Sequence, residues 1–204
     1  VPAEQVTSPF DARPIIVAIA GPNGAGKSTF FEAHLASAGL RFLNADDLAR
    51  ELGLDAVTAA DLANRLRVEL VEQRESFVFE TVLSDPVGDK VDFLAKAAAQ
   101  GYAVVLVFIG VDDARISEQR VAMRVLQGGH DVPAEKLSAR FPRTMKNLAR
   151  AIEKLPHVLV FDNSNLANPL RKVAEFERGQ SVVANAPVPR WLPLKRKLGR
   201  GRRR

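Results

Sequence analysis

Residues 21–29 read GPNGAGKST and follow directly on IIVAIA. Gly21, Gly26, Lys27 and Ser28 stand in the register G-x-x-x-x-G-K-[ST], with Pro22, Asn23, Gly24 and Ala25 between them and Thr29 after. Glycine is costly to order, so Gly21, Gly24 and Gly26 need a reason to sit so close together. The chemistry that needs them is phosphate binding. Backbone N–H groups can turn inward around phosphate oxygens, and a helix starting near Lys27 adds its positive end. Lys27 would reach the β- and γ-phosphates of a nucleoside triphosphate, and the Ser28 hydroxyl would take Mg²⁺. As a loop lysine, Lys27 is expected to be exposed.

Other residues could act on what that loop holds. Asp46, in LNADDLAR, can accept a hydroxyl proton across the site, or can cap a helix over 47–52. Asn44 stands beside it as a candidate substrate contact. Glu80 ends the segment SFVFE with Thr81 next to it, placed to hold Mg²⁺ through water or to bind a polar substrate. Arg120 and Arg124 share one helix face, as do Arg140 and Arg143. Between the pairs, Gly128-Gly129 can hinge. Four such arginines either fold over a triphosphate or stand solvated on the surface. His130 touches substrate or is simply exposed.

The elements that must position these groups alternate. Strands are expected at 13–20, 40–45, 76–80, 102–111 and 157–162. Helices are expected at 27–38, 59–75, 91–100 and 113–127, and from Pro133 to about 154. KVAEFERGQSVVA reads as a hairpin around Arg178-Gly179. The pattern predicts an α/β fold in three layers: a mostly parallel five-stranded sheet, helices on both faces, and a C-terminal hairpin. The chemistry then belongs on loops at the carboxyl ends of the strands, at 21–28, 44–47, 80–85, 111–113 and 162–165.

Composition narrows the classes. At 204 residues, with 47% hydrophobic and 26% charged, the chain has the makeup of one globular domain with a real core. The absence of cysteine removes disulfides, thiol nucleophiles and thiolate metal sites, and fits a cytoplasmic protein. No apolar run reaches membrane-spanning length, and the start is not an intact secretory signal. From Arg190 onward there are eight basic residues and no acid, so the net charge of +5 divides into that tail and a body of −3. We place the domain at 1–185 and a basic, disordered tail at 186–204. The tail could neutralise nucleic-acid phosphates, but its one aromatic, Trp191, gives little stacking surface.

The loop alone does not name a substrate. An ATP-binding-cassette subunit would need a Ser-Gly-Gly-Gln-like motif, of which VLQGGH is a shallow echo, and an acidic pair where VLVFDN has Asp162-Asn163. A GTPase would need Asn-Lys-x-Asp, which is missing. Base, arginines and cover together suit a small-molecule kinase.

GPNGAGKST, LNADDLAR, FVFETVLS, RVAMRVLQGGHDVP with RFPRTMKNL, and VFDNS before a hairpin, in this order, resemble the zeta-toxin-like P-loop kinases, the toxin half of bacterial toxin–antitoxin pairs. The resemblance covers about residues 14–180 and is closest to the compact branch with a Gly-Gly-His-x-Val-Pro loop. It implies ATP and Mg²⁺ on Lys27 and Ser28, and Asp46 as catalytic carboxylate. It implies Glu80 and Thr81 as substrate contacts, although better-known members have Glu-Gly-Thr. Arg124 and Arg140 match the ATP-clamping arginines, with Arg120 and Arg143 as neighbouring alternatives. It implies phosphorylation of UDP-N-acetylglucosamine or a similar nucleotide sugar, and an antitoxin protein as partner. The competing expectations are a resistance kinase acting on an antibiotic or other metabolite, and a nucleic-acid-associated ATPase.

Overall fold

The computed structural model describes residues 9–126 and 132–193. Its framework is one seven-stranded sheet in the order β2-β3-β1-β4-β5-β6-β7. The strands are β1 (Ile15–Ala20), β2 (Arg41–Leu43), β3 (Phe77–Thr81), β4 (Ala103–Gly110), β5 (His157–Asp162), β6 (Arg171–Glu177) and β7 (Gln180–Ala184). The first five are parallel. The expected C-terminal hairpin forms, but it does not stand apart from a five-stranded sheet. β6 pairs antiparallel with β5 and β7 with β6, so the hairpin extends the sheet to seven strands. Satisfying the free edge of β5 accounts for this.

The helices are α1 (Lys27–His34), α2 (Ala45–Leu52), α3 (Ala56–Glu72), α4 (Asp89–Ala99), α5 (Ala114–Leu126) and α6 (Ala134–Lys154). The expected helix over 27–38 ends earlier, and Ala36–Ala38 form a short 3-10 turn closed by Gly39. α3 begins before residue 59 because the Asp55 carboxylate caps it, accepting from the N–H groups of Val57 at 2.9 Å and Thr58 at 3.1 Å.

β1 is fully buried along its length, as a central parallel strand must be. Its residues alternate between two cores. Ile16 and Ala18 join Phe79, Leu106 and Phe108 beneath α3, α4 and α6, through Leu70, Leu94 and Leu148. Ile15, Val17 and Ile19 join Val105, Val107 and Ile109 beneath α1, through Phe30. These are the three expected layers. The strand order reverses direction at β1, and its carboxyl end opens the crevice where such sheets bind ligands.

Residues 194–204 lie outside the described part of the chain. Residues 186–193, assigned to the tail, reach back to the sheet: Leu192 is buried, and the Trp191 ring lies 6.0 Å from that of Phe108. A Cβ on Gly110 would come within 2.2 Å of the Trp191 ring, so the glycine makes room for the indole. The folded unit therefore continues past residue 185. Among the described residues, no helix is long and apolar enough to cross a membrane.

Candidate active site

The glycine loop joins β1 to α1 at the centre of the sheet. Gly21 has φ 146°, and a Cβ there would lie 2.1 Å from the Ile109 carbonyl oxygen on β4. Gly26 has φ 95° and caps α1, with the Asn163 side chain against it. The Asn163 amide donates to the Ala25 carbonyl at 2.8 Å, and Arg120 bonds the Asn163 carbonyl at 2.7 Å and the Gly24 carbonyl at 3.4 Å. The loop is thus held from behind by the end of β5 and by α5. Arg120 works here as a brace between loop and strand, its guanidinium directed at carbonyls.

Lys27 is not exposed as expected; its side chain is 5% accessible. Its ammonium donates to the Pro22 carbonyl at 3.0 Å and lies 3.5 Å from the Glu80 carboxylate. Burial pushes this ammonium below its ordinary range, and Glu80 opposes the shift through charge and hydrogen bonding. Glu80 also accepts from the Ser28 hydroxyl at 2.9 Å and from the Asn44 amide at 3.4 Å. One carboxylate at the end of β3 therefore gathers groups from the glycine loop and from the start of α2. The Ala20–Thr81 register between β1 and β3 brings the two loops to the same level.

Asp46 does not cap α2. That role belongs to Asn44, whose side-chain oxygen accepts from the Asp46 N–H at 2.9 Å. The Asp46 carboxylate, in the first turn, is left for other work and lines the same cavity as Lys27, Asn44, Glu80 and Thr81. That cavity has a volume of about 300 Å³. Arg124 of α5 and Arg140 of α6 also line it.

The remaining expected residues turn, wholly or in part, to the backbone. Thr81 shapes its own turn, its hydroxyl accepting from the Leu83 N–H at 3.0 Å. Arg143 is not among the cavity-lining residues and donates to the Ser84 carbonyl at 2.9 Å. It belongs to a row on α6 that grips the loop after β3: Thr144 bonds the Val82 carbonyl, and Asn147 bonds the carbonyls of Leu83 and Asp85, all at 2.9 Å. Burying these carbonyls requires such partners, and the row fixes the loop that carries Glu80 and Thr81. His130 and the Gly128-Gly129 hinge lie outside the described residues.

Sequence reasoning missed one whole wall of the cavity. Ala56, Ala60, Ala63, Asn64 and Arg67 present one stripe of α3, where the alanines leave space. Lys90 of α4 and Lys136 of α6 complete it. The spacing of the alanines with Arg67 was the available signal, but small residues at helical spacing read equally well as packing.

For the implied metal, the donors present are hard oxygens: the Ser28 hydroxyl and the carboxylates of Glu80 and Asp46. Among the described residues no group of three or more His, Asp or Glu side chains is disposed to cage a metal. Hard oxygen donors are the class Mg²⁺ takes, so Ser28, with Glu80 and Asp46 on the same cavity, would fit it.

The comparisons agree with this geometry. No curated protein matches the chain. Among solved structures, that of AvrRxo1-ORF1:AvrRxo1-ORF2 with sulphate ions is similar at TM-score 0.66 and 21% identity, covering 87% of this chain and 62% of that one. The same complex solved with ATP gives TM-score 0.59 at 18% identity, again over 87% and 62%. The PezAT chromosomal toxin–antitoxin system of Streptococcus pneumoniae gives TM-score 0.52 at 17% identity, over 78% of this chain and 71% of that one. The chain thus spans less than two thirds of the AvrRxo1 chains it matches, and at these identities the likeness establishes the fold alone. The Zeta toxin family profile matches residues 3–171, from before the glycine loop to the start of β6. By that match over most of its length, the chain belongs to the Zeta toxin family.

Proposed function

We propose that the chain is an ATP-dependent kinase that transfers the γ-phosphoryl group of ATP to a hydroxyl of a small polar acceptor. The observation that carries this reading is the single cavity that unites Lys27, Asp46, Glu80, Arg124 and Arg140. Five separate elements contribute them, which a purely structural role would not require.

The roles follow from position. The loop N–H groups and Lys27 bind the β- and γ-phosphates. Arg124 and Arg140 neutralise charge on the transferring phosphoryl group in a site partly closed to water. They come from the helices on either side of residues 127–131. Asp46, freed from capping by Asn44, accepts the proton of the attacking hydroxyl. Glu80 and Asn44 orient the acceptor's polar groups. Ser28 would hold Mg²⁺, which supplies neutralisation of the phosphate oxygens when bound.

For the acceptor we favour a nucleotide-activated amino sugar of the UDP-N-acetylglucosamine kind, and for the biology a toxin restrained by an antitoxin protein. Membership of the family supports both, as does the toxin–antitoxin nature of the PezAT relative. The test is mass spectrometry of UDP-N-acetylglucosamine and of a bacterial metabolite extract after incubation with the protein and Mg-ATP. A metabolite gaining one phosphoryl group, with loss of ATP, supports a kinase, and its identity decides the acceptor. ATP consumed with no phosphorylated metabolite would contradict the kinase reading.

A further inference from the structure

We propose that Trp191, carried on the C-terminal strap of residues 186–193, is a positioning residue for the nucleotide: it holds the glycine loop in its phosphate-binding shape by fixing the ends of β4 and β5 behind that loop. This rests on the kinase reading. It adds a determinant of ATP affinity that lies outside residues 3–171, the stretch matched by the Zeta toxin profile.

The glycine loop leans on two strand ends. Gly21 sits against the Ile109 carbonyl, near the end of β4. Ala25 and Gly26 sit against Asn163, which follows β5 and donates its side-chain amide to the Ala25 carbonyl at 2.8 Å. The two ends are tied to each other, because the Asn163 N–H donates to the Gly110 carbonyl at 2.9 Å. A shift of either end moves the loop N–H groups that bind phosphate, and small errors in such placement are costly.

The strap grips both ends. On β4, the Trp191 ring lies over Gly110, where a Cβ would come within 2.2 Å of it, and 6.0 Å from the Phe108 ring. On β5, the Trp191 indole N–H donates to the carboxylate of Asp162, the residue before Asn163, at 3.4 Å. Arg171 donates to the other Asp162 oxygen at 3.4 Å and to the Pro187 carbonyl of the strap at 2.9 Å. Asp162 in turn accepts from the Ser164 hydroxyl at 2.6 Å and the Ser164 N–H at 3.2 Å, which fixes the turn with Asn163 at its centre. Buried Leu192 anchors the strap beside Trp191. The bonds to Asp162 are long, so the hold rests chiefly on the packed ring, and removing the ring is the telling change. Coupling of this kind is reciprocal: if Trp191 supports the filled loop, filling the loop tightens the seat of Trp191.

Trp191 is the single tryptophan of the chain, so its fluorescence reports on this contact alone. The test titrates the full chain with a non-hydrolysable ATP analogue in excess Mg²⁺ and follows acrylamide quenching of that fluorescence. Calorimetry then gives analogue affinity for wild type, Trp191→Ala, Asn163→Ala and the double variant. Filling the loop should lower the quenching constant of wild type. Trp191→Ala should bind the analogue about 10-fold more weakly, within the range of couplings carried through packed contacts. The double variant should bind no more weakly than Asn163→Ala alone, since Trp191 acts through Asn163. Where Trp191→Ala fails to fold, the wild-type quenching decides by itself. Three results would each overturn the positioning role and leave the kinase reading intact: quenching that ignores saturating analogue, a Trp191→Ala protein that melts lower yet binds analogue as wild type does, or losses that simply add in the double variant. Failure of the analogue to bind wild type would instead strike the kinase reading, and the role of Trp191 with it.

Discussion

The Ser28 hydroxyl donates to the Glu80 carboxylate at 2.9 Å, across 52 positions of sequence. The contact joins the first turn of α1 to the end of β3, and the same carboxylate faces the buried Lys27 ammonium. Glu80 therefore compensates the glycine loop's main charge as well as lining the cavity.

Glu80→Ala should destabilise the nucleotide-free protein by about 3 kcal/mol, because Lys27 keeps its burial and loses its carboxylate. Saturating ATP should recover much of this loss, since phosphate oxygens replace the missing anion and binding to the folded state alone stabilises it. Thermal melts with and without ATP measure both effects. An ATP-induced rise in Tm no larger than that of wild type would show that Glu80 does not compensate Lys27.

Gly26→Ala tests the brace behind the loop. The new methyl would lie 2.7 Å from the Asn163 amide nitrogen, which cannot swing away without releasing the Ala25 carbonyl. The left-handed backbone adds about 1–2 kcal/mol for any residue with a Cβ. The variant should melt several degrees lower and bind ATP weakly. Asn163→Ala, which removes the clash partner, should restore part of the stability lost by Gly26→Ala in the double variant. Strictly additive losses would place the cost elsewhere.

Acid should weaken the seam between α4 and α6 through Asp92. Its carboxyl is held below the ordinary carboxylate range by the Lys154 ammonium at 2.9 Å and the Arg150 guanidinium at 2.5 Å. A carboxylate depressed in the folded state contributes stability above its unfolded pKa, and that contribution fades as pH falls through the folded value. Asp92→Asn should therefore lower Tm at neutral pH, with the gap to wild type closing below the folded pKa of Asp92. A gap independent of pH would mean the pair does not act through charge.

What could be read from the sequence was what is encoded locally. The β1 strand, the glycine loop and α1 follow one another within twenty residues, and each carries its own signal of apolar run, glycine register and helical spacing. Asp46 and Glu80 could be singled out as candidates because one follows and the other ends a short strand in an alternating pattern, and both line the cavity. Arg67 could not be found this way. Its place in the wall depends on Phe79 and Asn64, and on the packing of α3 over the sheet, none of which is periodic. Arg120 and Arg143 look like Arg124 and Arg140 in sequence, and only tertiary structure sends them to backbone carbonyls. Trp191 was hidden by the basic composition around it, while its socket, Gly110, lies 81 positions earlier.

The central claim is that this cavity transfers phosphate to an acceptor hydroxyl with Asp46 as the base. The most direct measurement follows label from γ-labelled ATP into acceptor for wild type, Lys27→Met and Asp46→Asn, with ATP binding measured on each. Wild type should label the acceptor and Lys27→Met should not. Asp46→Asn should bind ATP as wild type does and transfer about 10²-fold more slowly, or worse, as expected for loss of a positioned base. Its stability should hold, because Asn44 caps α2. Equal transfer by wild type and Asp46→Asn, or label released only to water by both, would contradict the account.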